Sequence, residues 1–182
     1  MTTLEISVIC TVFWIGLHFG TAWLFCFIPA YKSRKLFDYR RAYFTVSERE
    51  MKFYRSIGLP LWKDQLPQYN HDFNKRKLSQ KPTIAYMQEF LYNTCRAEVI
   101  HETIAVLGFS SLLLCLLCEK PSENIPLFLT IAVVIGLCNL PFSMIQRYNR
   151  YRLARVLNRM INKKREYRRQ DDRKQQSETS DD

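Results

Sequence analysis

Apolar and polar positions separate into long blocks along this 182-residue chain. Residues 6–28, the run closing at Cys118, and residues 125–145 hold most of the aliphatic side chains, and nearly all charge falls between or after them. A helix rises about 1.5 Å per residue, so blocks of this length match a hydrocarbon core about 30 Å thick. The second block has a polar mouth: Glu98, His101 and Glu102 occupy little more than one helical turn, and 104–118 carries no charge. The pattern predicts an all-α integral membrane protein with three transmembrane helices, about 6–28, 99–118 and 125–145, plus cytoplasmic interfacial amphipathic helices. Residues 1–169 form one membrane-embedded domain, and the polar tail 170–182 reads as disordered.

The intervening segments carry their own periods. Ser47-Glu48-Arg49-Glu50 has the form of a capping box, and Met51, Tyr54 and Ile57 follow every third residue. This predicts a short helix in the headgroup region, stopped by Gly58 and Pro60. Trp62-Lys63-Asp64-Gln65-Leu66-Pro67 reads as an interfacial segment, and 69–81 as loop. From Thr83 the stripe Ile84, Met87, Leu91, Cys95, Glu98 and His101 predicts one helix running to Cys118. Asn139 and Pro141 predict a kink in the third span. Leu153, Leu157, Met160 and Ile161 predict a basic amphipathic helix over about 150–166, lying on the inner leaflet. His18, mid-span, is expected to bond to a neighbouring helix. Cys115-Leu116-Leu117-Cys118 has apolar surroundings and no second pair, so it reads as packing.

Composition alone is ambiguous, since mean hydropathy is −0.22. The charge distribution is more telling. Of 27 Lys and Arg, none precedes the first span, 14 lie in 31–97 and 12 follow the third. The positive-inside rule then expects the N-terminus outside, the loop 31–97 cytoplasmic and the C-terminus cytoplasmic. The leader before the first span has no Lys or Arg, which argues against a cleaved signal peptide. The net charge of +10 suits anionic lipid as partner, and no nucleic-acid motif accompanies it.

An antiparallel hairpin of the second and third spans brings Glu98 and His101 level with Gln146–Arg152. Charge here costs a few kcal/mol per residue at mid-membrane and less near the interface, so a role is expected. A carboxylate at i can orient an imidazole at i+3, leaving the other ring nitrogen as a general base. Arg96, Arg147 or Asn149 can hold phosphate or stabilise an oxyanion. Two bland readings stand beside this. Glu98 can pair with Arg147 or Arg150 across two helices, and Glu-x-x-His can hold a metal, although metal sites of that kind need several such motifs.

Arg96-Ala97-Glu98-x-x-His101, at the mouth of the second span, resembles the glycosyl-4,4'-diaponeurosporenoate acyltransferases, as does Gln146-Arg147-Tyr148-Asn149-Arg150-x-Arg152-Leu153 at the end of the third. Trp62-Lys63-Asp64-x-Leu66-Pro67 is similar to a third block of related bacterial sequences. The resemblance covers about residues 5–160. It implies a membrane enzyme that esterifies a sugar hydroxyl of a glycosylated carotenoid, or a related glycolipid, with a fatty acyl group. Two positions depart from the family pattern: Tyr151 stands where Pro is expected and Glu102 where Trp is expected. Under this reading His101 is the general base and Glu98 its partner. Arg96, Arg147, Tyr148, Asn149, Arg150, Lys63 and Asp64 contact substrates. No metal and no tightly bound cofactor is expected, and the acyl donor, such as a thioester, is a co-substrate. The alternative is a non-enzymatic membrane protein whose polar clusters are interhelical ion pairs.

Overall fold

The computed structural model describes residues 3–66 and 82–178, so the readings of Pro67 and 69–81 lie outside the described residues. The protein is all-helical, with no strand among the described residues, and three of its helices are long and apolar enough to cross a membrane. These are Leu4–Phe27, Ile84–Leu117 and Pro121–Arg173.

Helix α1 (Thr3–Leu24) presents Leu4, Val8, Val12, Ile15, Phe19 and Trp23 as one exposed stripe. An apolar face left outward at helical spacing suits hydrocarbon as its solvent. Its other side meets the second span at Gly108, where an added Cβ would lie 2.9 Å from a Trp14 ring carbon. A side chain there would displace the indole, so glycine allows this close approach. His18 does not reach a neighbouring helix as expected: its Nδ1 lies 2.8 Å from the Trp14 carbonyl, one turn back on its own helix. In an apolar environment that carbonyl is the nearest acceptor able to satisfy the ring.

After α2 (Ala30–Leu36), α3 (Glu48–Ser56) starts where Ser47 Oγ accepts the Glu50 N–H at 3.1 Å, as the capping box predicts. Gly58, at φ +68°, separates it from α4 (Leu59–Trp62) in the left-handed region that favours glycine. The apolar face of α3 is turned inward rather than outward. Met51 and Tyr54 pack with Leu59 against Ile145 and Tyr148, so protein covers this apolar face.

Helix α5 (Ile84–Leu107) is capped by Thr83, whose Oγ accepts the Tyr86 N–H, and continues as a 3₁₀ segment over Gly108–Leu117. The expected rod from Thr83 is present, tightened beyond Leu107. Helix α6 (Pro121–Glu178) follows a short turn and spans 58 residues, about 87 Å at 1.5 Å per residue. It passes Pro141 without interruption, since a helix in apolar surroundings tolerates proline.

Two further expectations change. Residues 150–166 are not a separate helix on the leaflet: Leu153 and Leu157, with Met160 and Ile161 beside them, pack on Met87, Phe90 and Leu91 of α5. The same spacing serves a membrane surface or a partner helix, and the 84–95 stripe supplies the partner. The tail is helical to Glu178 rather than disordered from 170. Arg, Lys, Glu and Gln are good helix formers, and here they extend a helix already nucleated.

Candidate functional site

Three polar layers stack at the basic end of the α5–α6 pair. The first centres on Glu98, which is fully buried. One of its oxygens lies 2.7 Å from Arg147 Nη1 and the other pairs with Arg150 Nη2. Arg147 also reaches Glu50 through Nε at 2.5 Å and Nη2 at 3.0 Å. Its remaining N–H groups donate to the carbonyls of Tyr43 and Thr45, each at 3.1 Å. A guanidinium has five N–H donors, and all five of Arg147's are thereby engaged.

Arg150, 2% exposed, donates Nε–H to the Phe44 carbonyl at 2.9 Å and lies over the Phe44 ring. Its Nη1 is buried with no hydrogen-bond partner, as is Nδ2 of Asn149. The Cys95 thiol, a weak acceptor, lies beside Arg150. Burial alone would raise the Glu50 carboxyl, but Arg147, the Tyr54 hydroxyl and the Ser47 backbone outweigh it and hold the group below its ordinary range.

The second layer is Glu102, which accepts from Ser143 Oγ at 3.1 Å and from the Tyr43 hydroxyl. Burial first, and then the adjacent Glu102 carboxylate, push the Tyr43 phenol up to about 12. The third is His101, whose Nδ1 lies 3.0 Å from Asn139 Oδ1 and whose ring stacks on Phe142 at 4.8 Å between centroids. Asn139 Nδ2 donates to the Ile135 carbonyl, which leaves its Oδ1 as the acceptor for His101. An accepting Oδ1 calls for a proton on Nδ1. Tyr43, Glu102 and Val99 line an apolar groove of about 370 Å³ that runs on past Val106 and Leu107.

Both Glu98 oxygens engage arginines, and Asn139 lies within bonding distance of the imidazole. Arg147 is a frame residue rather than an uncommitted cation. Arg96 lies apart, its guanidinium 5.9 Å from the Tyr92 ring. Tyr148 is in the α3–α4–α6 core, with Arg152 over its ring. Lys63 is buried and pairs with Asp64 at 2.7 Å, next to Trp62, which packs on the same core. Among the described residues, no group of three or more His, Cys, Asp or Glu is placed to hold a metal ion. A larger cavity of about 490 Å³ lies at the hairpin end, between Cys10, Cys118 and Phe128, and none of the motif residues lines it.

Sequence reasoning missed Glu50, Tyr43, Ser143 and the role of Asn139. Glu50 carried a signal, but it read as a cap. Asn139 was visible as a polar residue inside a span, the usual mark of an interhelical bond.

These features define an all-helical protein with a buried ionic frame between two span-length helices and a histidine one turn deeper. The chain belongs to the glycosyl-4,4'-diaponeurosporenoate acyltransferase family, which it matches over residues 33–159. The matched region contains all three polar layers and excludes α1. The family name specifies acyl transfer in carotenoid biosynthesis, which implies an acceptor and an acyl donor in general terms. No curated protein and no solved structure matches the chain.

Proposed function

We propose that this protein is a membrane acyltransferase that esterifies a sugar hydroxyl of a glycosylated carotenoid, or a related glycolipid, with a fatty acyl group. Its basic end faces the cytoplasm of a bacterial cell membrane. His101 is the general base, and Asn139 rather than Glu98 fixes its tautomer. The observation that carries this reading is the Asn139–His101 bond, which orients the imidazole through Nδ1 in a chain of an acyltransferase family. Nε2 takes the proton of the sugar hydroxyl and the oxygen attacks the acyl carbonyl. The new C–O bond forms, the bond to the donor's leaving group breaks, and the imidazolium returns its proton to that group. The groove beside Glu102 takes an acyl or polyene chain.

Arg150 and Asn149 are donor contacts. From Phe142, which stacks on His101, to Arg150 is eight residues of α6, about 12 Å, so Arg150 holds a distal part of the donor. Lys63 and Asp64 order the α3–α4 corner, and Arg96 and Tyr148 support the helices around the site.

The non-enzymatic alternative draws support from the Glu98 ion pairs, and those describe the frame. His101→Ala separates the two readings. With membrane insertion verified, acyl transfer in isolated membranes should fall by about 10²–10⁴-fold. Retention of near wild-type transfer would remove His101 as the base. Mass spectrometry of lipid extracts from a deletion strain identifies the missing ester, and with it acceptor and acyl chain.

A further inference from the structure

Three of the chain's six cysteines meet at the hairpin end, opposite the ionic frame, and the proposed acyl transfer uses none of them. All six are free thiols. Cys95 lies beside Arg150, Cys26 follows α1 at the basic end, and Cys138 is exposed on α6. Cys115 and Cys118 instead form a buried cluster with Phe128, and Cys10 of α1 packs against it. Each of these three thiols lies within electrostatic range of the other two. They come from two elements that are lightly joined: 6% of the apolar window of the first span is buried, against 22% in the second.

Geometry decides which pair can join. Cys118, with φ still at −77°, caps the 3₁₀ segment and donates its N–H to the Cys115 carbonyl at 3.0 Å. Residues three apart on a 3₁₀ helix eclipse, so their Cβ atoms point the same way about 6 Å apart. A disulfide needs converging Cβ atoms about 3.5–4.5 Å apart, so this CxxC pair closes only if the backbone moves. Cys10 approaches from a separate helix and carries no such restriction. Access favours the same choice: Cys10 and Cys118 both line the cavity of about 490 Å³, whereas Cys115 is 2% exposed. Glu119, Lys120 and Glu123 of the turn line that cavity too, so water and a small polar reagent can enter it. In the proposed orientation this end faces away from the cytoplasm, where disulfides persist.

We propose that Cys10 and Cys118 are a thiol–disulfide exchange pair, reached through this cavity by a small disulfide, whose oxidation joins α1 to the end of the second span. One cavity-lining thiolate attacks the incoming disulfide; the reagent S–S bond breaks, a mixed disulfide forms and one reagent thiol leaves. The other protein thiolate attacks the protein sulfur of the mixed disulfide and expels the second reagent thiol. The two protein thiols lose two electrons and two protons, and the reagent disulfide becomes two thiols that carry those protons away. The link ties down the span that the rest of the protein holds least. The pair is independent of the role of His101, and only its place in the cell rests on the proposed orientation.

The test uses the full chain in lipid nanodiscs, reduced and then exposed to dithiodipyridine. Remaining thiols are alkylated and the digest is read by mass spectrometry. The wild type should yield a Cys10–Cys118 linked peptide that dithiothreitol releases, and Cys115→Ala should retain it. Cys10→Ala should lose the link and leave a stable mixed disulfide on Cys118, and Cys118→Ala should leave one on Cys10, because the resolving thiol is gone. Circular dichroism of each variant checks that the helices are intact, and the wild-type result needs no variant. A Cys115–Cys118 link in the wild type overturns the pairing. So do Cys10 and Cys118 that are alkylated separately, or that keep separate mixed disulfides, without joining.

Discussion

The Glu98 layer and the His101 layer sit one helical turn apart on the same two helices, yet they are built in opposite ways. Around Glu98 every carboxylate oxygen faces an arginine, and Arg147 has all five donors engaged by α3, α5 and the 43–45 segment. Around His101 one ring nitrogen is fixed by Asn139 and a stacked Phe142 sets the plane, while on another side of α5 Val99, Glu102 and Thr103 border an apolar groove. A closed layer holds elements together, whereas the Glu102 layer between the two borders an open groove that can meet a second molecule. Resemblance places both layers in one motif, and geometry divides their work.

The contrast is tested most severely at Glu98. Replacing it with Gln leaves Arg147 and Arg150 facing a buried neutral amide, and breaking one partner of a buried pair destabilises by about 3–5 kcal/mol. Denaturant titration in nanodiscs should show that loss, with activity falling because the fold fails. His101→Ala should leave the same titration close to wild type. If His101→Ala unfolds the protein as readily as Glu98→Gln, the two layers are one structural unit.

Next in size is the acid response of the closed layer. The Glu50 carboxyl is held below its ordinary range when folded, so its contribution is present above the unfolded carboxylate pKa and is lost as pH falls through the folded value. Stability should decline on the acid side of the carboxylate range, and Glu50→Gln should remove that part of the decline. Thermal unfolding followed against pH in both proteins checks this. An unchanged acid profile in Glu50→Gln would mean that other carboxylates set it.

Much of this was legible in the sequence. Block hydropathy located the three spans, the 84–98 stripe predicted one continuous helix, and Ser47 and Thr83 marked helix starts that are present. The missing parts follow from what one-dimensional spacing omits. Residues three apart on a helix differ by about 60° in direction, enough to send Glu98 to Arg147 and Arg150 and His101 to Asn139. Residues two apart point to different sides, which is why Arg96 stands on Tyr92 and away from the frame. The capping box located Glu50 but could not show that its carboxylate reaches a residue 97 positions away. Glu102 and Tyr151 both bond to the 43–48 segment, through Tyr43 and Glu48. A helical period such as 153–161 names an apolar face and leaves its partner unnamed.

The smallest expected effect gives the finest division between the layers, because Tyr43 belongs to both. Its backbone carbonyl accepts from Arg147 in the closed layer, while its hydroxyl donates to Glu102 in the layer that borders the groove. Tyr43→Phe removes the second contact and keeps the first. One hydrogen bond contributes about 0.5–1.5 kcal/mol, and more when the acceptor is charged. The variant should therefore lose little stability and keep the acid response assigned to Glu50, while the groove beside Glu102 loses its polar wall. If Tyr43→Phe instead destabilises as strongly as Glu98→Gln, the hydroxyl is a strut of the ionic frame. The boundary between frame and reaction chamber would then lie one turn deeper, at Asn139 and His101.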